Sequence, residues 1–71
     1  MVRFSIFNKA NQQVFFEFKN LEKFKKKYEN DTKNILPTPE TKMIFTYVGD
    51  EELHCETFQD FVNHLYGRMV A

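Results

Sequence analysis

Phe15-Phe16-Glu17-Phe18-Lys19-Asn20-Leu21-Glu22-Lys23-Phe24 decides the fold, because an apolar strand here runs into a helix with no residues to spare for a loop. Val14, Phe16 and Phe18 alternate along one side of the strand. Asn20 then stands where a helix N-cap belongs, its side-chain oxygen able to accept from the free N–H groups of the first turn. From Leu21 to about Glu29 the apolar residues Leu21, Phe24 and Tyr28 recur at i, i+3 and i+7, one stripe of a helix whose remaining surface carries lysines. The same grammar returns in Leu53-His54-Cys55-Glu56-Thr57-Phe58-Gln59-Asp60-Phe61, where Thr57 and Asp60 approximate a capping box.

Upstream, Val2-Arg3-Phe4-Ser5-Ile6-Phe7 alternates as a half-buried strand with Val2, Phe4 and Ile6 on one face. The polar Asn8-Lys9-Ala10-Asn11-Gln12 supplies a turn, since Asn tolerates left-handed backbone. Pairing Ile6 with Val14 and Phe4 with Phe16 sets Arg3 opposite Glu17, a favourable charge pair, and leaves Phe7 and Phe15 pointing away from the apolar face. Downstream of the first helix, Pro37 and Pro39 exclude regular helix or central strand. This crossover is expected to be ordered, with Ile35 and Leu36 both pinned to the core.

Lys42 to Val48 reads as a third strand, and its continuous apolar run predicts a central position covered on both faces. Gly49-Asp50 forms a two-residue turn with glycine first, returning the chain as a fourth strand over Glu52–Glu56. A tight turn pairs Ile44 with Cys55 and Thr46 with Leu53, sending Phe45, Tyr47 and His54 to the other face. A three-residue turn pairs Phe45 with Cys55 and exchanges the faces. The last helix runs from Phe58 to about Met69, with Phe58, Phe61, Val62, Leu65 and Met69 at helical spacing.

The fold class is therefore α+β: a ββαββα pseudo-repeat giving a four-stranded antiparallel sheet with two helices on one face. Residues 1–71 form a single domain, divided into a first ββα unit (1–30), a Pro-containing crossover (31–41) and a second ββα unit (42–71). A chain of 71 residues buries only about 60% of its unfolded surface, so its core must be rich per residue. Nine Phe and three Tyr provide that.

The net charge of zero hides a polarity. Residues 1–35 carry eight Lys and Arg against four acids, a balance of +4, and residues 36–71 carry two against six, a balance of −4. The lone Cys55 has no partner for an internal disulfide, and no long apolar run or cleavable leader is evident. A soluble, cytoplasmic protein is the expectation.

Residue patterns that carry chemistry are missing. Gly49 and Gly67 are isolated rather than part of a phosphate loop. Ser5 lacks a nucleophile elbow, and His54, Cys55 and His64 lack metal-ligand spacing. The chain is read as a non-enzyme without metal or cofactor, which leaves binding. In the leading version, Phe7, Phe15, Phe45 and Tyr47 stand on an uncovered sheet face and grip another protein. Closure of the sheet into a small barrel is the structural alternative. In a second version Lys19, Lys23, Lys25, Lys26 and Lys27 hold the phosphates of single-stranded nucleic acid, although such a run ordinarily forms a solvated helix face. In a third, the aromatic face buries itself in a homodimer of structural role.

The Lys/Asn/Phe-rich composition on so short a chain is similar to that of small accessory proteins encoded by bacteriophages and other mobile elements. That resemblance is one of composition. It implies a protein that inhibits or modulates a target by binding it.

Overall fold

The computed structural model describes residues 1–70. Its elements are β1 (Val2–Phe7), β2 (Gln13–Phe18), α1 (Leu21–Glu29), β3 (Met43–Val48), β4 (Glu51–Leu53) and α2 (Phe58–Val70), in ββαββα order. The strands form one antiparallel sheet in the order β2-β1-β3-β4.

In the first hairpin Phe4 pairs with Phe16, Ile6 with Val14 and Arg3 with Glu17, the expected register. Its loop explains why. The Asn11 N–H donates to the Asn8 carbonyl at 2.9 Å and the Asn8 N–H to the Gln12 carbonyl at 2.9 Å. The Asn8 side chain accepts from the Ala10 and Gln12 N–H groups, and Asn11 sits at φ +61°. This is a three-residue loop closed by a left-handed residue, a conformation asparagine reaches more easily than most residues.

The second hairpin uses the tight turn. Thr46 pairs with Leu53 and Val48 with Glu51, and Gly49 lies at φ +63° while Asp50 does not enter the left-handed region. Two expectations fail here. β4 ends at Leu53 instead of reaching Glu56, with a single further bridge between Lys42 and Thr57. Ile44 does not share the inward face with Thr46 and pair with Cys55, as the tight-turn register has it: β1 pairs Ser5 with Phe45 but Ile6 with Met43. Ile44 is thus the extra residue of a β-bulge. Met43 packs on the core in its place, and Ile44 stands 41% exposed.

Both helices cover one face, and the core between comprises Val2, Phe4, Ile6, Phe24, Leu36, Phe58, Phe61, Val62 and Leu65. Phe4 is its hub. Its ring centroid lies 4.9 Å from that of Phe16, 5.2 Å from Phe61, 5.6 Å from Phe58, 6.2 Å from Phe18 and 6.3 Å from Phe24. Strands from one half and helices from both therefore meet on one side chain. The Asn20 cap forms as read, its side chain accepting from the Lys23 N–H at 2.9 Å, whereas of the expected box at α2 one half is seen, Thr57 Oγ1 accepting from the Asp60 N–H at 3.3 Å.

The crossover is held by Asp31, whose Oδ2 accepts from the Leu36 N–H at 2.9 Å and whose Oδ1 accepts from the Ile35 N–H at 3.0 Å. This clamp delivers only Leu36 to the core. Ile35 is 52% exposed, contrary to the expectation that both aliphatics are buried. The Leu36 N–H, then the Ile35 N–H and the Lys27 charge, outweigh desolvation and hold the Asp31 carboxyl below the usual aspartate range. A depressed carboxyl stabilises the fold above the ordinary aspartate pKa, and that contribution is lost as pH falls through the lowered value. NMR titration is expected to give an Asp31 midpoint below that of an aspartate in a short peptide, with Ile35 and Leu36 amide protection falling in the same pH window. A midpoint at the peptide value would show that the clamp does not form.

Candidate functional site

Helices cover only one side of the sheet, so β3 is central but open on its other face, contrary to the expectation that both its faces are covered. The odd-numbered positions of β1 and β2 face outward, and pairing of Phe45 with Ser5 and of Tyr47 with Arg3 gives those two aromatics the same direction. Ser5 pairs with Phe15 on one side and Phe45 on the other. The rings of Phe15 and Phe45 come together at 5.8 Å, tilted by 44°. Ser5 is fully buried even though it belongs to the uncovered face. Its hydroxyl accepts from Gln13 Nε2 at 3.2 Å, so the polar floor is satisfied.

The row continues. Phe45 meets Tyr47 edge-on at 5.6 Å, and the Arg3 guanidinium carbon lies 5.3 Å from the Tyr47 ring centroid. Each aromatic pair contributes about 0.5–1.5 kcal/mol beyond its buried area, and an exposed cation–π contact about 0.5–1 kcal/mol. The face is therefore packed in advance of any partner. Phe45 and Tyr47 are half-buried, while Phe15 is 65% exposed and Phe7, at the end of β1, 54% exposed. All four expected aromatics occupy this face; Phe15, Phe45 and Tyr47 form a connected row and Phe7 stands beside it.

The lysines do not join them. α1 packs its apolar stripe, centred on buried Phe24, against the opposite side of the sheet. Lys23, Lys25 and Lys26 are exposed there, with Lys25 and Lys26 sharing a shallow depression with Glu22 and Glu29. Lys27 is half-buried beside Asp31, and Lys19 is exposed between β2 and the Asn20 cap. This is a mixed-charge surface rather than a continuous basic groove.

Cys55 is half-buried. Burial pushes its thiol up, outweighing the nearby Thr46 hydroxyl, and Asp60 adds to the rise, so the thiolate is disfavoured at neutral pH. Among the described residues no group of three or more His, Cys, Asp or Glu side chains converges, and no helix is long and apolar enough to cross a membrane. His64 is engaged instead by Arg68, whose Nε donates to its Nε2 at 2.8 Å while the guanidinium also pairs with Glu51.

Sequence reasoning did not find Arg3 and Ser5 as parts of the site. Both owe their places to the β1–β3 pairing, which joins the two halves of the chain and has no local signal. Compared with protein-family models, curated proteins and solved structures, the chain has no significant match.

Proposed function

We propose that this chain is a small non-catalytic protein-binding module that captures a target through its open aromatic face, and that capture inhibits or modulates the target. The observation supporting this is the connected row of Phe15, Phe45 and Tyr47, with Phe15 and Phe7 more than half exposed on a sheet side that no helix covers. Exposed apolar side chains that sit together mark interaction surfaces. Rings already packed against one another lose little further freedom on binding, so more of their contact energy appears as affinity.

Arg3, stacked on Tyr47 and paired with Glu17 in the β1–β2 ladder, places a polar rim beside the apolar centre, the arrangement of a protein interface. The lysines of α1 serve solubility in this reading, because they alternate with Glu22 and Glu29 and lie across the sheet from the aromatics.

Phe15→Glu is the test. The side chain is too exposed to matter greatly to the core, so circular dichroism and thermal melting are expected to stay close to the unsubstituted protein. Affinity for a partner isolated from the native host is expected to fall by about thirtyfold or more, the loss of an aromatic hot spot. Lys25→Glu is expected to leave affinity within a few fold. Full retention of binding by Phe15→Glu, or its loss in Lys25→Glu alone, would sink the proposal.

A further inference from the structure

The two edges of the sheet are unlike. β4 is three residues long, begins Glu51-Glu52, and has Glu51 tied to Arg68 of α2. Short length and charge are the usual protections of an edge strand. β2 has six residues, Gln-Val-Phe-Phe-Glu-Phe, without proline, lysine or bulge, and no strand among the described residues pairs with its outer side.

Which of its backbone groups are free follows from the hairpin. The Asn8 N–H to Gln12 carbonyl bond makes residues 8 and 12 a hydrogen-bonded pair. Such pairs alternate along an antiparallel ladder, so Val14, Phe16 and Phe18 bond to β1 while the N–H and C=O groups of Gln13, Phe15 and Glu17 point outward.

That outward row is complementary to itself. Read antiparallel about a two-fold axis at Phe15, it sets Phe15 opposite Phe15, and the Gln13 amide, a donor, opposite the Glu17 carboxylate, an acceptor, twice over. On the helix-covered face the same register sets Val14 opposite Phe16. We propose that two copies of the chain join edge to edge through β2 in this register, extending the sheet across both. The row Tyr47–Phe45–Phe15 then continues into its counterpart in the second copy, giving one aromatic surface of doubled length. A net charge of zero sets up no overall repulsion between copies. The inference stands apart from partner capture, since it rests on the backbone edge rather than the sheet face.

Light scattering and sedimentation from micromolar to millimolar protein are expected to show a monomer–dimer equilibrium. Glu17→Pro removes an N–H that β1 does not use, at an edge position proline tolerates. It is expected to raise the dimer dissociation constant at least about tenfold with unchanged circular dichroism. A chain that stays monomeric at millimolar concentration overturns the proposal, as does a folded Glu17→Pro dimer of unchanged affinity.

In a Cys55→Ala background, Phe15→Cys is expected to give a disulfide-linked dimer on mild oxidation, because the axis brings its two copies to about 5.5 Å between Cα atoms. Gln13→Cys is not. The reverse result overturns the register, and this pair decides the matter should Glu17→Pro fail to fold. Salt discriminates as well. Edge pairing places two basic first units side by side and is expected to hold or tighten as salt rises, whereas a head-to-tail dimer of +4 and −4 halves dissociates. Dissociation by salt therefore counts against the proposal.

Discussion

Phe4→Ala is expected to remove roughly half of the fold's stability. Phe4 has no exposed surface, and its ring lies within 6.3 Å of five others: Phe16 and Phe18 from β2, Phe24 from α1, Phe58 and Phe61 from α2. Truncating a buried Phe costs about 3–5 kcal/mol through lost transfer energy and the cavity left behind. A domain of this length has a total stability of roughly 4–10 kcal/mol. The cavity would also resist collapse, because the surrounding rings are rigid and are fixed by elements on three sides. Urea melts followed by circular dichroism are expected to show the Phe4→Ala midpoint at roughly half the urea concentration of the unsubstituted chain, while Phe15→Ala, on the open face, melts within about 1 kcal/mol of it. A loss below about 1.5 kcal/mol for Phe4→Ala would show that the neighbouring rings close over the gap and that no single side chain is central.

What could be read in advance was local. α1 begins at Leu21 because Asn20 caps it, the first hairpin keeps its expected register because Asn11 supplies left-handed backbone at the turn, and the second takes the tight-turn register of the two open to it because Gly49 does the same. The direction of Phe7 and Phe15 follows from parity within one strand. Features produced by contacts between the halves were not legible. The bulge at Ile44 arises where β3 meets β1, and it exchanges Met43 for Ile44 in the core without any glycine to mark it. Ile35 and Leu36 look alike in sequence, and the Asp31 clamp decides that only the second is buried. Ser5 is polar at an outward position, which predicts exposure, yet the meeting of Phe15 and Phe45 covers it completely. The candidate site was thus half visible: alternation placed Phe7 and Phe15, the face of Phe45 and Tyr47 hung on which second turn forms, and Arg3 and the floor beneath the rings depended on strand order.

Thr46→Val is expected to cost about 1–3 kcal/mol, a large share of the stability for a change that conserves shape. Thr46 is 1% exposed, on the inward face of β3 between Phe4 of β1 and Leu53 of β4. Its hydroxyl donates to the Leu53 carbonyl at 2.6 Å. Leu53 is the last residue of β4, beyond which the ladder lapses until the Lys42–Thr57 bridge, so this side-chain bond helps to hold the end of a strand only three residues long. Valine fills the same space but removes the threonine donor from that carbonyl at the end of the edge strand. Thr46→Ser separates the two contributions, since it keeps the donor and removes a methyl group, at about 1 kcal/mol. Denaturant melts are expected to rank Thr46→Val below Thr46→Ser, with amide exchange in Thr46→Val accelerating most around Leu53. A valine variant as stable as the unsubstituted chain would mean that packing against Phe4 alone keeps β4 on the sheet, and that the short strand needs no side-chain tether.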